Sequence, residues 1–170
     1  MASAASKSAA SLFLVLNLLI YFIIIVIASW AVNHAIAHSH EAASSLKMPA
    51  HIFPIFFPMG NMATGFFIML SLITGVVGFI ASLTAINDVV LGTLASLHAA
   101  ASSSTVAWLL TLLSMGLACK EISTGWAGSS LRALEVLTII VSGSQLICTG
   151  AIHAGLLEEA ARHSMTGSRV

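Results

Sequence analysis

The most regular polar pattern in the chain lies near its C-terminal end. Glu135, Thr138, Ser142, Gln145, Thr149 and His153 recur at steps of 3, 4, 3, 4 and 4 within a long apolar run. On an α-helix that spacing lines a single face. A polar stripe on a membrane helix must face protein or water rather than lipid. Two readings follow. In one, the hydroxyls and the amide bond between helices and hold a bundle together. In the other, they line a polar route or pocket, with Glu135 and His153 as its proton-titratable ends. Depth along the helix sets Glu135 level with Lys120 and Arg132, and His153 level with Asp88, so those are the expected polar pairs.

Other chemistry has little support. His34, His38 and Glu41 fall at i, i+4 and i+7. That is a loose match to a zinc site, no cysteine joins it, and a solvated helix end explains the set without a metal. No metal or other cofactor is expected, although a pH response through these histidines stays open. No GxSxG, HExxH or phosphate-cradling glycine loop is present, so no catalytic residue is assigned and no enzyme is expected. There is no basic stripe for nucleic acid. Cys119 and Cys148 fall at depths too different for a disulfide and read as packing residues.

The elements that must position the stripe follow from composition. The chain has 170 residues, 58% hydrophobic and 7% charged, with no net charge, and its mean hydropathy is +1.03. A soluble domain carries about 25% charged residues, so this chain cannot cover a water-facing surface. Its apolar runs are continuous and reach the ~20 residues that cross a bilayer as a helix. The expected fold is an all-α integral membrane four-helix bundle, one domain over residues 1–170. Spans are placed at about 12–32, 61–86, 98–119 and 131–157. Asn17, the strongly polar residue of the first span, is expected to bond a neighbouring helix, and Trp30 to anchor at the interface. In the second span Ser71, Gly75, Gly78 and Ser82 form a smooth face for close helix packing. Residues 33–59 and 87–97 are expected to be connections.

One stretch breaks the helical regularity: His51–Phe67, HIFPIFFPMGNMATGFF. Pro54 and Pro58 forbid an ordinary helix through its first half. Gly60 and Asn61 mark the start of the second span. This aromatic, proline-broken segment is expected to cap the bundle at the level of Lys120 and Glu135; an interfacial anchor is the rival reading. Four spans put both termini on one side. Lys and Arg count three against three across the membrane, so the side rests on Lys7 before the first span, which favours cytosolic termini.

The segments ASWAVNHAI, HIFPIFFPMGNMATGFF and SLITGVVGFIASLTAI resemble the abscisic-acid-induced wheat plasma membrane polypeptide-like family of plants. The resemblance covers essentially the whole chain, and the proline–phenylalanine–glycine–asparagine stretch is its most specific part. It implies a small four-span plasma-membrane protein of abscisic-acid and stress responses, in a family to which abscisic acid influx has been attributed. It supplies no catalytic motif, so ligand residues are physical inferences. The hormone's carboxylate would suit Lys120, Arg132 or the helix start at Gly60–Asn61. Its ring would suit Phe53, Phe56 and Phe57, and its polar groups Thr64, Ser142 and Gln145. The expected function is abscisic acid uptake, with the lipid bilayer, the hormone and a homo-oligomer or larger membrane complex as partners. The alternative is a non-transporting scaffold or accessory subunit.

Overall fold

A bilayer offers no hydrogen-bond partner to a bare peptide group, so an apolar chain of this kind must close its backbone bonds within each segment. The computed structural model describes residues 2–45, 62–124 and 128–167, and the side chains of 8–37, 63–123 and 128–165. These form four helices: α1 (Ala2–Ser45), α2 (Met62–Leu91), α3 (Leu94–Thr124) and α4 (Ser129–Gly167). There is no strand among the described residues. Each helix is long and apolar enough to cross a membrane. They run up, down, up and down around a square: α1 packs on α2 and α4, α3 packs on α2 and α4, and the diagonal α2–α4 pair barely touches.

The helices run further than the apolar runs alone suggest. α1 continues to Ser45, so residues 33–45, expected to open a long loop, are helical. Residues 87–97 are a second correction. α2 runs on to Leu91, α3 begins at Leu94, and only Gly92 and Thr93 lie between. Gly92 takes a left-handed φ of 64°, and its N–H donates to Asp88 O at 3.1 Å, the usual glycine closure of a helix end. Thr93 then caps α3. Its Oγ1 accepts the Ser96 N–H at 3.2 Å, and its carbonyl accepts from Leu97 N at 2.9 Å. Both flanks stay helical because Val89 and Leu97 are buried in an apolar cluster at this end.

The outward faces carry large aliphatic side chains, including Leu12, Leu19, Ile73, Ile80, Leu109, Leu113 and Ile147. The inward faces carry small and polar ones. Two apolar clusters fill the interior. One, at the end holding the termini and the Gly92–Thr93 turn, includes Leu14, Ala85, Val89, Leu97, Cys148 and Ile152. The other, at the opposite end, includes Tyr21, Ile24, Ala28, Phe67, Ala118 and Leu134. A polar layer separates them.

α2 packs through two kinds of surface. Toward α1, a Cβ on Gly78 would overlap the ring of Tyr21, and one on Gly75 would lie 2.9 Å from Ile25 Cγ1. Toward α3, Ser71 Oγ bonds Ser114 Oγ at 3.0 Å, and Thr74 Oγ1 donates to Leu110 O at 3.4 Å. Ser82 is buried with no partner for its hydroxyl. Cys119 is exposed and Cys148 buried, and both are free thiols.

Candidate functional site

A 3–4–3–4 pattern on a straight helix turns the same face inward along its whole length. α4 obeys it: Glu135, Thr138, Ser142, Gln145 and Thr149 are all buried. The next inward positions are Ile152 and Leu156, not His153, which is exposed. The alternation continues 149, 152, 156, whereas the step of four to His153 drifts off the face. The His153 ring nitrogen Nδ1 instead lies 2.8 Å from the Thr149 carbonyl of its own helix. It makes no ion pair with Asp88, whose carbonyl oxygen is the group engaged there, by Gly92 N and Ser96 Oγ.

At mid-bundle the stripe meets partners from two other helices. Asn17 Nδ2 on α1 donates to Gln145 Oε1 at 2.7 Å, and Ser144 Oγ donates to Asn17 Oδ1 at 2.6 Å. Gln145 Nε2 donates to Ser104 Oγ on α3 at 3.0 Å, and Ser104 Oγ bonds Thr149 Oγ1 at 2.7 Å. One layer away, the Tyr21 hydroxyl bonds Thr111 Oγ1 at 2.8 Å, reaching diagonally from α1 to α3. A buried amide in lipid must find such partners or carry a cost of about 1–3 kcal/mol. Gln145, expected to meet a ligand, is bonded into this layer, and Ser142, expected likewise, is buried.

The open space lies at the other end of the stripe. Between α1, α2 and the start of α4 is a half-open cavity of ≈ 350 Å³, lined by Ile27, Trp30, Ala31, His34, Thr64, Ile68, Leu134 and the first turn of α4 from Gly128 to Leu131. Arg132 N donates to Gly128 O at 3.1 Å, so Gly128 is the N-cap. The N–H groups of residues 129–131 therefore have no partner within their own helix. The Trp30 and His34 rings stack, centroids 5.1 Å apart and nearly parallel, one helical turn apart at the cavity mouth.

Two buried carboxylates lie at this level. Thr64 Oγ1 on α2 donates to Glu121 Oε1 on α3 at 2.5 Å. Glu135 Oε1 on α4 has no hydrogen-bond partner, and Glu121 and Arg132 both act on Glu135 through their charge. The expected pairing of Glu135 with Lys120 or Arg132 is not seen: both cations are exposed, whereas Glu135 is buried. Pairing by depth fails here because Lys120 and Arg132 each lie one or more positions off the inward face. Glu121 was not singled out from the sequence, although α3 signals it. Ser104, Ala107, Thr111, Ser114, Ala118 and Glu121 step by 3, 4, 3, 4 and 3 and are all buried.

Of the remaining expected ligand residues, Thr64 lines the cavity. Phe53, Phe56, Phe57 and Asn61 lie outside the described residues, as does the capping role given to the proline-broken segment. No group of three or more potential metal ligands occurs among the described residues.

Comparison with known proteins sets this architecture in context. The AWPM-19-like family model matches residues 15–155. The protein is similar to the rice (Oryza sativa subsp. japonica) "Membrane protein PM19L", 38% identical over 146 residues, which make up 84% of this chain and 76% of the rice protein. No solved structure matches.

Proposed function

From the premise that the chain belongs to the AWPM-19-like family, and so is a multi-pass membrane protein, we propose that it facilitates entry of abscisic acid into plant cells at the plasma membrane. The observation that carries this reading is the cavity between α1, α2 and α4. Its ≈ 350 Å³ falls within the roughly 300–1,000 Å³ of small-ligand sites. Its chemistry suits a small amphipathic weak acid. The N–H groups of the first turn of α4, which have no partner within their own helix, take a carboxylate, as helix starts take anions, with the exposed Arg132 in the same turn adding positive charge. Ile27, Trp30, Ile68 and Leu134 take a ring, and Thr64 and His34 take polar substituents. This replaces Ser142 and Gln145 as hormone contacts. With the termini in the cytosol, the cavity opens to the cell exterior.

The test is uptake of labelled abscisic acid by proteoliposomes of the purified protein. Saturable uptake above protein-free vesicles is expected. Ser130→Trp, which fills the cavity from a half-buried position, should abolish it while leaving thermal stability unchanged. Uptake equal to that of empty vesicles, or a Ser130→Trp variant that transports normally, would refute the reading. The packed Asn17–Gln145–Ser104 layer favours one alternative, a non-transporting scaffold or accessory subunit. Copurification of a stoichiometric membrane partner, with no uptake by the purified protein, would establish that alternative.

A further inference from the structure

We propose that Glu135 and Glu121, with the Thr64 hydroxyl, form a binding site for one proton at the cavity end of the bundle. The argument starts from burial. Glu121 is 0% and Glu135 4% exposed, within helices that cross the membrane. An ionised carboxylate at such a place requires donors or a cation. Two carboxylates acting on each other in a poorly polarisable interior do not both stay ionised when one can take up a proton.

The surroundings of the two acids differ, and the difference assigns the roles. Glu121 accepts a short hydrogen bond from Thr64 at Oε1, the kind of donor that stabilises a charged carboxylate, while its Oε2 has no hydrogen-bond partner. Glu135 Oε1 receives no hydrogen bond. Neutralising Glu135 by protonation removes the cost of an unsolvated charge, so the proton is assigned to Glu135, which lacks the donor that Glu121 has.

Every neighbouring element bears on this assignment. From α1, His34 is the titratable residue at this end whose side chain is described, and it lines the cavity. α2 contributes Thr64, and its described residues carry no charge nearer than Asp88 at the far end. α3 contributes Glu121, with Lys120 exposed beside it, and α4 contributes Arg132, exposed at the rim. The protonation step balances simply: one proton from water at this end of the bundle adds to a Glu135 carboxylate oxygen and returns to water on release.

Placed beside a cavity suited to a carboxylate, the site would let a weak-acid anion enter together with one proton and no net charge. That coupling rests on the uptake reading above; the proton site does not. Infrared difference spectra of the full-length protein in lipid, recorded as pH is raised, test the site directly. A protonated-carboxyl stretching band is expected at neutral pH in the unmodified protein. It should be lost in Glu135→Gln and kept in Glu158→Gln. In Glu121→Gln it should disappear at lower pH, because the second carboxyl group of the site is gone. No such band at neutral pH, or a band that survives Glu135→Gln, overturns the proposal. In proteoliposomes, an acid-outside gradient should raise hormone uptake, and Glu135→Gln should lose that rise. If the band behaves as expected but no hormone enters, the proton site stands and the uptake reading falls. If uptake ignores the gradient, the coupling is refuted.

Discussion

A close contact between α1 and α2 makes a quantitative prediction. Gly78 faces the ring of Tyr21, and a methyl group on Gly78 would overlap three ring carbons. Ordinary carbon contacts lie at about 3.5–4.0 Å, so the ring or the helix must move by about an ångström. Tyr21 is poorly able to yield, because it is fully buried and its hydroxyl is held by Thr111 at 2.8 Å. Overpacking of this kind costs about 1–3 kcal/mol, and displacing the tyrosine forfeits a membrane hydrogen bond worth about 0.6 kcal/mol on average. The better helix propensity of alanine returns at most about 1 kcal/mol. Gly78→Ala should therefore destabilise by about 1–2 kcal/mol, roughly a five- to thirtyfold shift in the folding equilibrium. Unfolding by SDS in mixed micelles measures it. Gly143→Ala is the control: an added Cβ there meets nothing within 4 Å, so no loss is expected. Gly75→Ala should fall between them, since its nearest atom is the movable Ile25 side chain. The decisive comparison is the Tyr21→Ala background, where the ring is gone and Gly78→Ala should cost almost nothing. Equal costs in both backgrounds, or a Gly78→Ala as harmless as Gly143→Ala, would refute the packing argument.

Two further predictions concern the polar layer and the tight turn. Gln145→Leu leaves the Asn17 amide without its acceptor and Ser104 without a donor, so the same assay should show a loss of about 1–3 kcal/mol. Asn17→Leu combined with Gln145→Leu should recover part of it, because both polar groups are then gone. At the turn, Gly92→Ala forces a Cβ into the left-handed region at φ 64° and should cost about 1 kcal/mol. Thr93→Ala removes the N-cap oxygen and should cost a similar ~1 kcal/mol. Hydrogen exchange should show increased opening confined to the α2–α3 hairpin.

Much of this arrangement is legible in the sequence, because lipid leaves a helix few choices. The apolar runs give four helices, and the 3–4 alternation from Glu135 to Thr149 gives the inward face of α4. The same alternation carried onward would have chosen Ile152 over His153, and applied to α3 it would have found Glu121. Those two misses came from reading polar residues instead of the period that positions them. The short Gly92–Thr93 turn was obscured because Val89 and Leu97 look like loop residues until the cluster that buries them is known. The cavity and the Gly78–Tyr21 contact were not legible at all. Each depends on which faces of two different helices meet, and no spacing within one helix encodes that.

The two ends of the bundle differ in kind, and that difference bears on how anything could cross it. At the end with the termini, Leu14, Val89, Leu97, Cys148 and Ile152 close an apolar plug, and the Asn17–Gln145–Ser104 layer lies directly beneath it. At the other end a second apolar cluster fills the interior beside a half-open cavity, and both buried acids lie at that level. A ligand in the cavity therefore sits on one side of a single barrier rather than in a continuous channel. On the uptake reading, passage would part α1 from α4 at Asn17, where Asn17, Ser144 and Gln145 tie those two helices together. Opening that seam exposes an amide pair whose hydrogen bonds water or the ligand's own polar groups can replace, which makes it a cheaper place to part than an apolar seam lined with interlocked aliphatic side chains. On that reading the polar layer is the element whose strength would set the opening rate. On the uptake reading, Asn17→Ala should speed entry even as it lowers stability, whereas on the scaffold reading it should only lower stability.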